Sequence, residues 1–307
     1  MLSIDEYKDL VREERKTSFD MPYDLVYGAF EHLKFHLQDE IFFMENASRV
    51  VNDLRTECWK RFQIQEKEFT SKMLSKLINR KTIESMSSID AITYFVENFP
   101  THIYNLNLSN TQSRRSRAGK EFETIIELLL IGAKIPMDAQ GNIGKKTFSD
   151  KGLGKLVDLV IPGVTEFTLN KRFSILVSAK TSLRERWQEV PEEMGRTGAS
   201  EMFLATLDVA SQQVLDTLYE ANITLTTTKD IKKQRYKDNI RVFTFEDLLD
   251  AGKQNMELWS NHSYSIDDLK NELSLVEGQL EKQRDHKFVY DYYIGRKIEI
   301  LNKLDNL

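Results

Sequence analysis

Two apolar runs in the middle of the chain each carry a single charge, and they restrict the fold more than any other feature. Leu156-Val-Asp-Leu-Val-Ile-Pro162 holds Asp158, and Phe173-Ser-Ile-Leu-Val-Ser-Ala179 is closed by Lys180. Both read as β-strands. The second is so continuously apolar that both of its faces must be covered, as at the centre of a sheet. Further strand-like runs follow at Met202-Phe-Leu-Ala-Thr-Leu, Ile223-Thr-Leu-Thr-Thr and Ile240-Arg-Val-Phe-Thr-Phe245, with helical patterns from about Leu183 and over 211–221. This alternation predicts an α/β core over 105–260, a mixed sheet flanked by helices.

On either side the pattern is helical. In the N-terminal region, 1–104, Ser3-x-x-Glu6 has the form of a capping box, and Pro22 suits the first position of a helix. Leu25, Val26, Phe30, Leu33 and Leu37 then recur at helical spacing. Further helices are expected over about 46–62 and over 88–99, the latter stopped by Pro100. A helix over about 113–130 begins basic, continues into Ile125-Ile-Glu-Leu-Leu-Leu-Ile and ends at Gly132. The tail, 261–307, is helical from Ser265. Leu269, Leu273, Val276 and Leu280 form a short heptad seam there, suited to packing on the chain's own core or to a contact between copies.

Composition narrows the class. At 40% hydrophobic and 10% aromatic residues, the chain can bury a substantial core, and a net charge of −5 argues against a sequence-blind coat for nucleic acid. No run approaches the roughly 18 apolar residues of a membrane span, so no membrane partner is expected. Met1-Leu-Ser-Ile-Asp-Glu6 lacks the basic and apolar regions of a signal peptide. The single cysteine, Cys58, excludes an internal disulfide framework and a cysteine-rich zinc site, and reads as a packing residue in a reducing cytoplasm. Gly141-Asn-Ile-Gly144-Lys145-Lys146-Thr147 lacks the spacing of a phosphate-binding loop.

The two charged strands suggest chemistry. A carboxylate within an apolar strand is costly unless it is paired or bound to metal. Lysine beside acids suits metal-dependent phosphodiester hydrolysis, in which a divalent ion activates water and offsets phosphate charge. Hard oxygen ligands favour Mg²⁺. The familiar nuclease pattern has an acid two residues before the lysine, but here that position is Ser178. A second carboxylate must come from elsewhere, and spacing does not choose among Glu189, Glu192 and Glu193. Just past the lysine, Arg184-Glu185-Arg186 carries groups matched to guanine O6/N7 and cytosine N4, although a mixed-charge surface helix is the competing reading. Arg114, Arg115 and Arg117, at the expected start of a helix, suit phosphate oxygens. Arg55 and Trp59 are four residues apart and share a helix face; a core tryptophan is the alternative.

Asp158, Ser178-x-Lys180, Arg184-Glu185-Arg186 and Glu193 together resemble the type II restriction endonucleases of the SsoII, PspGI and EcoRII group, related to NgoMIV. Arg55, Trp59, Gln112 and Glu123 extend the resemblance over most of the chain. It implies the PD-(D/E)XK fold, Mg²⁺, and a homodimer on double-stranded DNA, with a tetramer as the alternative. It further implies a CCNGG-type target cut 5′ of the first C with the central nucleotides flipped. In this resemblance Asp158 and Glu193 are metal ligands, Lys180 is the catalytic lysine and Glu123 is an additional acid near the metal. Arg184, Glu185 and Arg186 read the major groove and Gln112 the minor groove. Trp59 stacks on the flipped base, with Arg55 supporting the pocket. The host is a prokaryote whose cognate DNA methyltransferase acts on the same site. Val157 stands where the motif has proline, and the serine at 178 is a departure the family shares. Two other functions compete: a repair nuclease of the same fold, and a sequence-specific DNA-binding protein without catalysis.

Overall fold

The apolar run around Val177 becomes the interior of a six-stranded mixed sheet. The computed structural model describes residues 2–184, 186–237 and 239–307, with Arg186 described in its backbone alone. The strands are β1 (Asp138–Ala139), β2 (Leu159–Ile161), β3 (Ile175–Lys180), β4 (Glu201–Thr206), β5 (Ile223–Thr227) and β6 (Val242–Thr244), ordered in space as in sequence. β1, β2 and β3 run antiparallel to one another, and β3 to β6 run parallel. Parallel neighbours need crossovers. The helices Glu189–Thr197 and Gln212–Glu220 supply the first two. Every residue of β3 except Lys180 is buried, as its apolar pattern requires. β1 was not legible in the sequence, because two residues are too few to show alternation.

The chain divides into two units, each discontinuous in sequence: Met1–Ala29 with Arg55–Glu121, and Phe30–Leu54 with Phe122–Leu307. The first unit is helical around Tyr7, Phe62, Phe69, Met73 and Phe99. Its opening helix, Ile4–Ser18, has the expected capping box: the Ser3 hydroxyl accepts from the Glu6 N–H at 3.3 Å, and the Glu6 carboxylate accepts from the Ser3 N–H at 2.8 Å. Pro22 opens the helix Pro22–His32. Two expected helices are longer than their patterns suggested. That placed over 46–62 runs Glu40–Ser75, with Asn46 outside helical geometry (φ −119°, ψ 21°). That placed over 113–130 runs Pro100–Gly132. Pro100 therefore begins a helix as well as following one, at the position where its missing N–H is harmless.

In the second unit Ile125, Ile126, Leu128, Leu129 and Leu130 are all fully buried, as befits a helix apolar on every side. Gly132 ends that helix but not through a left-handed conformation, which falls instead on Lys134 (φ 51°). A Cβ on Gly132 would lie 2.6 Å from the Phe43 ring, so close approach explains the glycine. In the tail, Ser265 and Asp268 form a reciprocal cap on the helix Ile266–Lys282, which packs on Lys287–Asp305. The seam residues Leu269, Val276 and Leu280 are buried within this unit. Arg296 joins the tail to the sheet, donating to Glu272 at 3.1 Å, to Asp138 at 3.4 Å and to the Met137 carbonyl at 2.9 Å. Tyr264 donates to the buried Glu166 at 2.8 Å. No described helix is long and apolar enough to cross a membrane.

Candidate active site

Asp158 lies immediately before β2 rather than inside it, and the backbone holds it on three sides. Its N–H donates to the Val177 carbonyl at 2.9 Å, and its own carbonyl accepts from the Gln140 N–H at 2.8 Å. Its Oδ2 accepts from the Ala179 N–H at 2.6 Å and from Lys180 Nζ at 3.0 Å. The antiparallel register, which pairs Leu159 with Val177, brings the residue before β2 to the end of β3. The two side chains are only 9% and 11% exposed. Burial raises the Asp158 carboxyl above the usual carboxylate range. The charge on Lys180, the Ala179 N–H and the more distant charge of Lys145 pull it back. Deleting one partner of such a pair costs about 3–5 kcal/mol, because the other charge is left buried alone.

Among the three acids that sequence spacing left open, burial separates Glu193 from the others. Glu193 is 8% exposed, whereas Glu189 and Glu192 are exposed and Glu192 pairs with Arg196. Pro191 falls in the first turn of Glu189–Thr197, where proline is tolerated, so the helical phase carries through to Glu193. The Glu193 carboxylate rests on Gly154: a Cβ there would lie 1.2 Å from Oε1. The loop leading to Asp158 thus has no side chain where this carboxylate sits. Ser178 is fully buried, and its hydroxyl has no hydrogen-bond partner among the described residues. Glu123 is half-buried on the Pro100–Gly132 helix. Gly154 and Lys145 were missed in the sequence. Lys145 opens the short helix Lys145–Asp150 and Gly154 lies in the irregular segment after it; neither carries a periodic pattern, and only the glycines around them hinted at a close approach.

The segment after Lys180 is not a helix from Leu183 as expected; regular α-helix begins at Glu189. Arg184 is exposed in a turn with φ 37°, an uncommon conformation for a residue with a side chain. Leu183 is buried and donates its N–H to Asp208 at 3.0 Å, while Trp187 packs on the core. The turn is thereby anchored on both sides of Arg184. Glu185 and the Arg186 side chain lie outside the described residues.

The remaining expected residues belong to the first unit. Trp59 is 45% exposed, which overturns the core-tryptophan alternative, and its ring stacks on Phe62 at 5.9 Å and 26°. Arg55 and Arg117 each lie 3.6 Å from Glu121, a buried acid whose carboxyl is raised by burial and held back by these two guanidinium groups. Beside them Cys58 is fully buried, and burial pushes its thiol up to about 12, in keeping with a packing role. Arg114, Arg115 and Arg117 stand in the interior of the helix Pro100–Gly132, which removes the helix N-terminus from their case for phosphate contact. Arg114 binds Glu66 through Nε at 2.8 and 2.9 Å, and Arg117 donates to the Asp20 carbonyl at 2.7 Å. Arg115 and Gln112 are exposed. Gln112 lines a pocket of about 430 Å³ with Arg12, Arg15 and Lys16 from the first helix. Those three were hidden in the sequence among alternating acids.

Comparison with known proteins gives a family and several relatives. Residues 74–249 match the family EcoRII C terminal. The type II restriction enzyme SsoII of Shigella sonnei is 50% identical over 296 residues, covering 96% of this chain and 97% of that protein. Among solved structures, metal-depleted Ecl18kI in complex with uncleaved, modified DNA has a TM-score of 0.91 at 49% identity, over 97% of this chain and 99% of that one. The restriction endonuclease PspGI–substrate DNA complex has a TM-score of 0.55 at 16% identity, covering 78% of this chain and 94% of that one, a likeness of fold.

Proposed function

The chain belongs to the SsoII family of type II restriction enzymes, and from that premise we propose a Mg²⁺-dependent double-strand cut at CCNGG-type sites, 5′ of the first C, made by a homodimer. The observation that carries the catalytic part is the buried Asp158–Lys180 pair, with the Glu193 carboxylate seated on the glycine four residues before Asp158. Among the described residues no group of three or more His, Cys, Asp and Glu side chains is placed to hold a metal. Asp158 and Glu193 would be the two protein ligands. That donor set fits Mg²⁺, which keeps several waters and takes one or two carboxylates together with phosphate oxygens. When bound, Mg²⁺ supplies Lewis-acid polarisation of the phosphate and a more acidic water.

The chain's own residues do the rest. Asp158 is oriented before any ligand arrives by its bonds to Ala179 and Lys180. Lys180 offers its ammonium to the scissile phosphate and orients the attacking water, and Glu123 adds an acid near the same centre. Arg184 and Arg186 read guanines and Glu185 reads cytosine, from a turn beginning four residues beyond the lysine. Gln112 contacts the minor groove and Arg115 the backbone phosphates. Arg114 and Arg117, which already hold Glu66 and Glu121, support that surface from within. Trp59 stacks on a flipped central base with Arg55 beside it.

Digestion of a plasmid of known sequence with Mg²⁺, followed by end mapping, tests the reading. Staggered ends on the 5′ side of CCNGG are expected. Random ends would favour a repair nuclease. Intact plasmid under all conditions would favour a binding protein without catalysis. Lys180→Ala is expected to slow cleavage by about 10²-fold or more while leaving DNA binding within a few-fold.

A further inference from the structure

The carboxylate of Asp208 ties together two backbone segments that the sheet brings side by side. In the parallel pairing of β3 with β4, Thr206 lies opposite Lys180, so the chain leaving β4 starts beside the turn that leaves β3. Asp208 is half-buried two residues past the end of β4. Its Oδ2 accepts from the Leu183 N–H at 3.0 Å, and its Oδ1 accepts from the N–H of its neighbour Val209 at 2.9 Å. Its own N–H donates to the Thr206 hydroxyl at 3.1 Å, and the Ala210 N–H donates to the Tyr236 hydroxyl at 2.7 Å. The loop 206–210 is thus fixed at both ends while its one carboxylate holds Leu183. All of these residues belong to the second unit.

Leu183 directly precedes Arg184, whose φ of 37° is uncommon for a residue with a side chain. Such a conformation persists where its surroundings over-determine it, and it gathers at functional sites. Here the Leu183 side chain is buried, its N–H is held by a carboxylate, and Trp187 packs on the core three residues beyond Arg184. Hydrogen bonds from a backbone N–H to a carboxylate are among the stronger ones. An acid beside a surface offered to DNA repels phosphate, so what it contributes there is geometry rather than affinity. We propose that Asp208 is a positioning residue for sequence reading: through the Leu183 N–H it sets where Arg184-Glu185-Arg186 enters the major groove. The proposal rests on the reading of that triplet given above and deepens it. Bidentate contact with a base edge needs placement within about 0.5 Å, so releasing the turn lowers selectivity more than it lowers rate.

The test measures single-turnover cleavage with Mg²⁺ on two duplexes, one carrying CCNGG and one with an outer C·G pair replaced by T·A. The ratio of the two rates is compared for wild type, Asp208→Ala, Asp208→Asn and Arg184→Ala, with melting curves as the check on folding. Asp208→Ala is expected to lower the ratio at least ~10-fold, the scale of one well-placed base contact. A purely structural role, or one acting through Lys180, slows both duplexes alike and leaves the ratio unmoved; that outcome overturns the proposal. Asparagine keeps one oxygen for the Leu183 N–H, and Val209, 48% exposed, can give its own N–H to water. Asp208→Asn is therefore expected within ~3-fold of the wild-type ratio. A ratio as low as that of alanine would place the effect in the charge and overturn the anchor. If Arg184→Ala relaxes the ratio and Asp208→Ala does not, the reader stands and the anchor falls. If Asp208→Ala relaxes it and Arg184→Ala does not, the anchor stands and Arg184 loses its part in reading. A wild type that cuts both duplexes equally removes reader and anchor together. Should Asp208→Ala not fold, Asp208→Glu gives a second readout, since it keeps the acid but moves its oxygens by one methylene. Its ratio is expected to fall at least ~3-fold, and a folded glutamate variant as selective as wild type overturns the proposal.

Discussion

Gly154 is a position where any side chain would displace the Glu193 carboxylate, the proposed metal ligand. A methyl there would lie 1.2 Å from Glu193 Oε1, so Gly154→Ala must move the carboxylate. Misplacement of a reacting group by about an ångström can cost ~10²-fold in rate. We expect Gly154→Ala to lower the cleavage rate by at least ~10-fold and to raise the Mg²⁺ concentration for half-maximal cleavage, with DNA affinity little changed. An unaltered metal titration would remove Glu193 from the site. Trp59 gives the opposite case, a large side chain in little need of its surroundings. At 45% exposed, its loss should cost roughly 1 kcal/mol of stability, mainly the stack on Phe62. With 2-aminopurine at the central base of bound DNA, Trp59→Ala should change the fluorescence, and an unchanged signal would exclude stacking by this residue.

Gly132 shows how an element can contradict its own propensities. Taken as a residue in a helix, replacement by alanine should stabilise by about 1 kcal/mol. The Phe43 ring, 2.6 Å from the added Cβ, reverses the sign. Gly132→Ala is expected to destabilise by about 1–3 kcal/mol in denaturant titrations, as overpacked cores do. The same tension governs what the sequence disclosed. β3 was legible because its run is almost continuously apolar up to Lys180, and β5 because Ile223 and Leu225 alternate with threonine. The caps at Ser3 and Ser265 were legible because their partners lie three residues away. The helices Glu40–Ser75 and Pro100–Gly132 were underestimated because polar stretches such as 105–117 lack an apolar stripe, and long-range packing carries them. The turn at Arg184 was mistaken for helix because a positive φ on arginine leaves no trace in sequence. Spacing left Glu193 level with Glu189 and Glu192; the family resemblance singled it out, and burial, which spacing does not encode, sets it apart from them.

At the scale of the whole molecule, the tail and the sheet edge meet over buried charge. Asp138 and Glu272 share one guanidinium, Arg296, while Glu166 accepts from Tyr264 beside them, and Gly163 leaves room for the carboxylates of Asp138 and Glu166. Burial, reinforced by the charge of Glu272, pushes the Glu166 carboxyl up to about 7, while Tyr264 and Arg296 oppose the shift. An acid raised in the folded state contributes fully below its unfolded value of 4.5 and loses that contribution as pH climbs towards 7. Glu166→Gln keeps an acceptor for Tyr264 and removes the ionisation. It is expected to melt like wild type at pH 5 and roughly 5 °C higher at pH 8, on the order of a 2 kcal/mol gain. Equal melting at both values would show that Glu166 ionises freely.

The pairing of Leu159 with Val177 has a consequence for how such a chain can vary in length. Side chains alternate along a strand, so a shift of one residue carries every group to the opposite face. A single deletion within 175–179 would send Lys180 away from Asp158 while leaving the composition almost intact. The connection 162–174 meets the sheet at the other end of this hairpin, and Lys171 and Arg172 there are exposed. Insertions should therefore be accepted at 171–172 and rejected in β3, so that length polymorphism in this region is confined to the end remote from the chemistry.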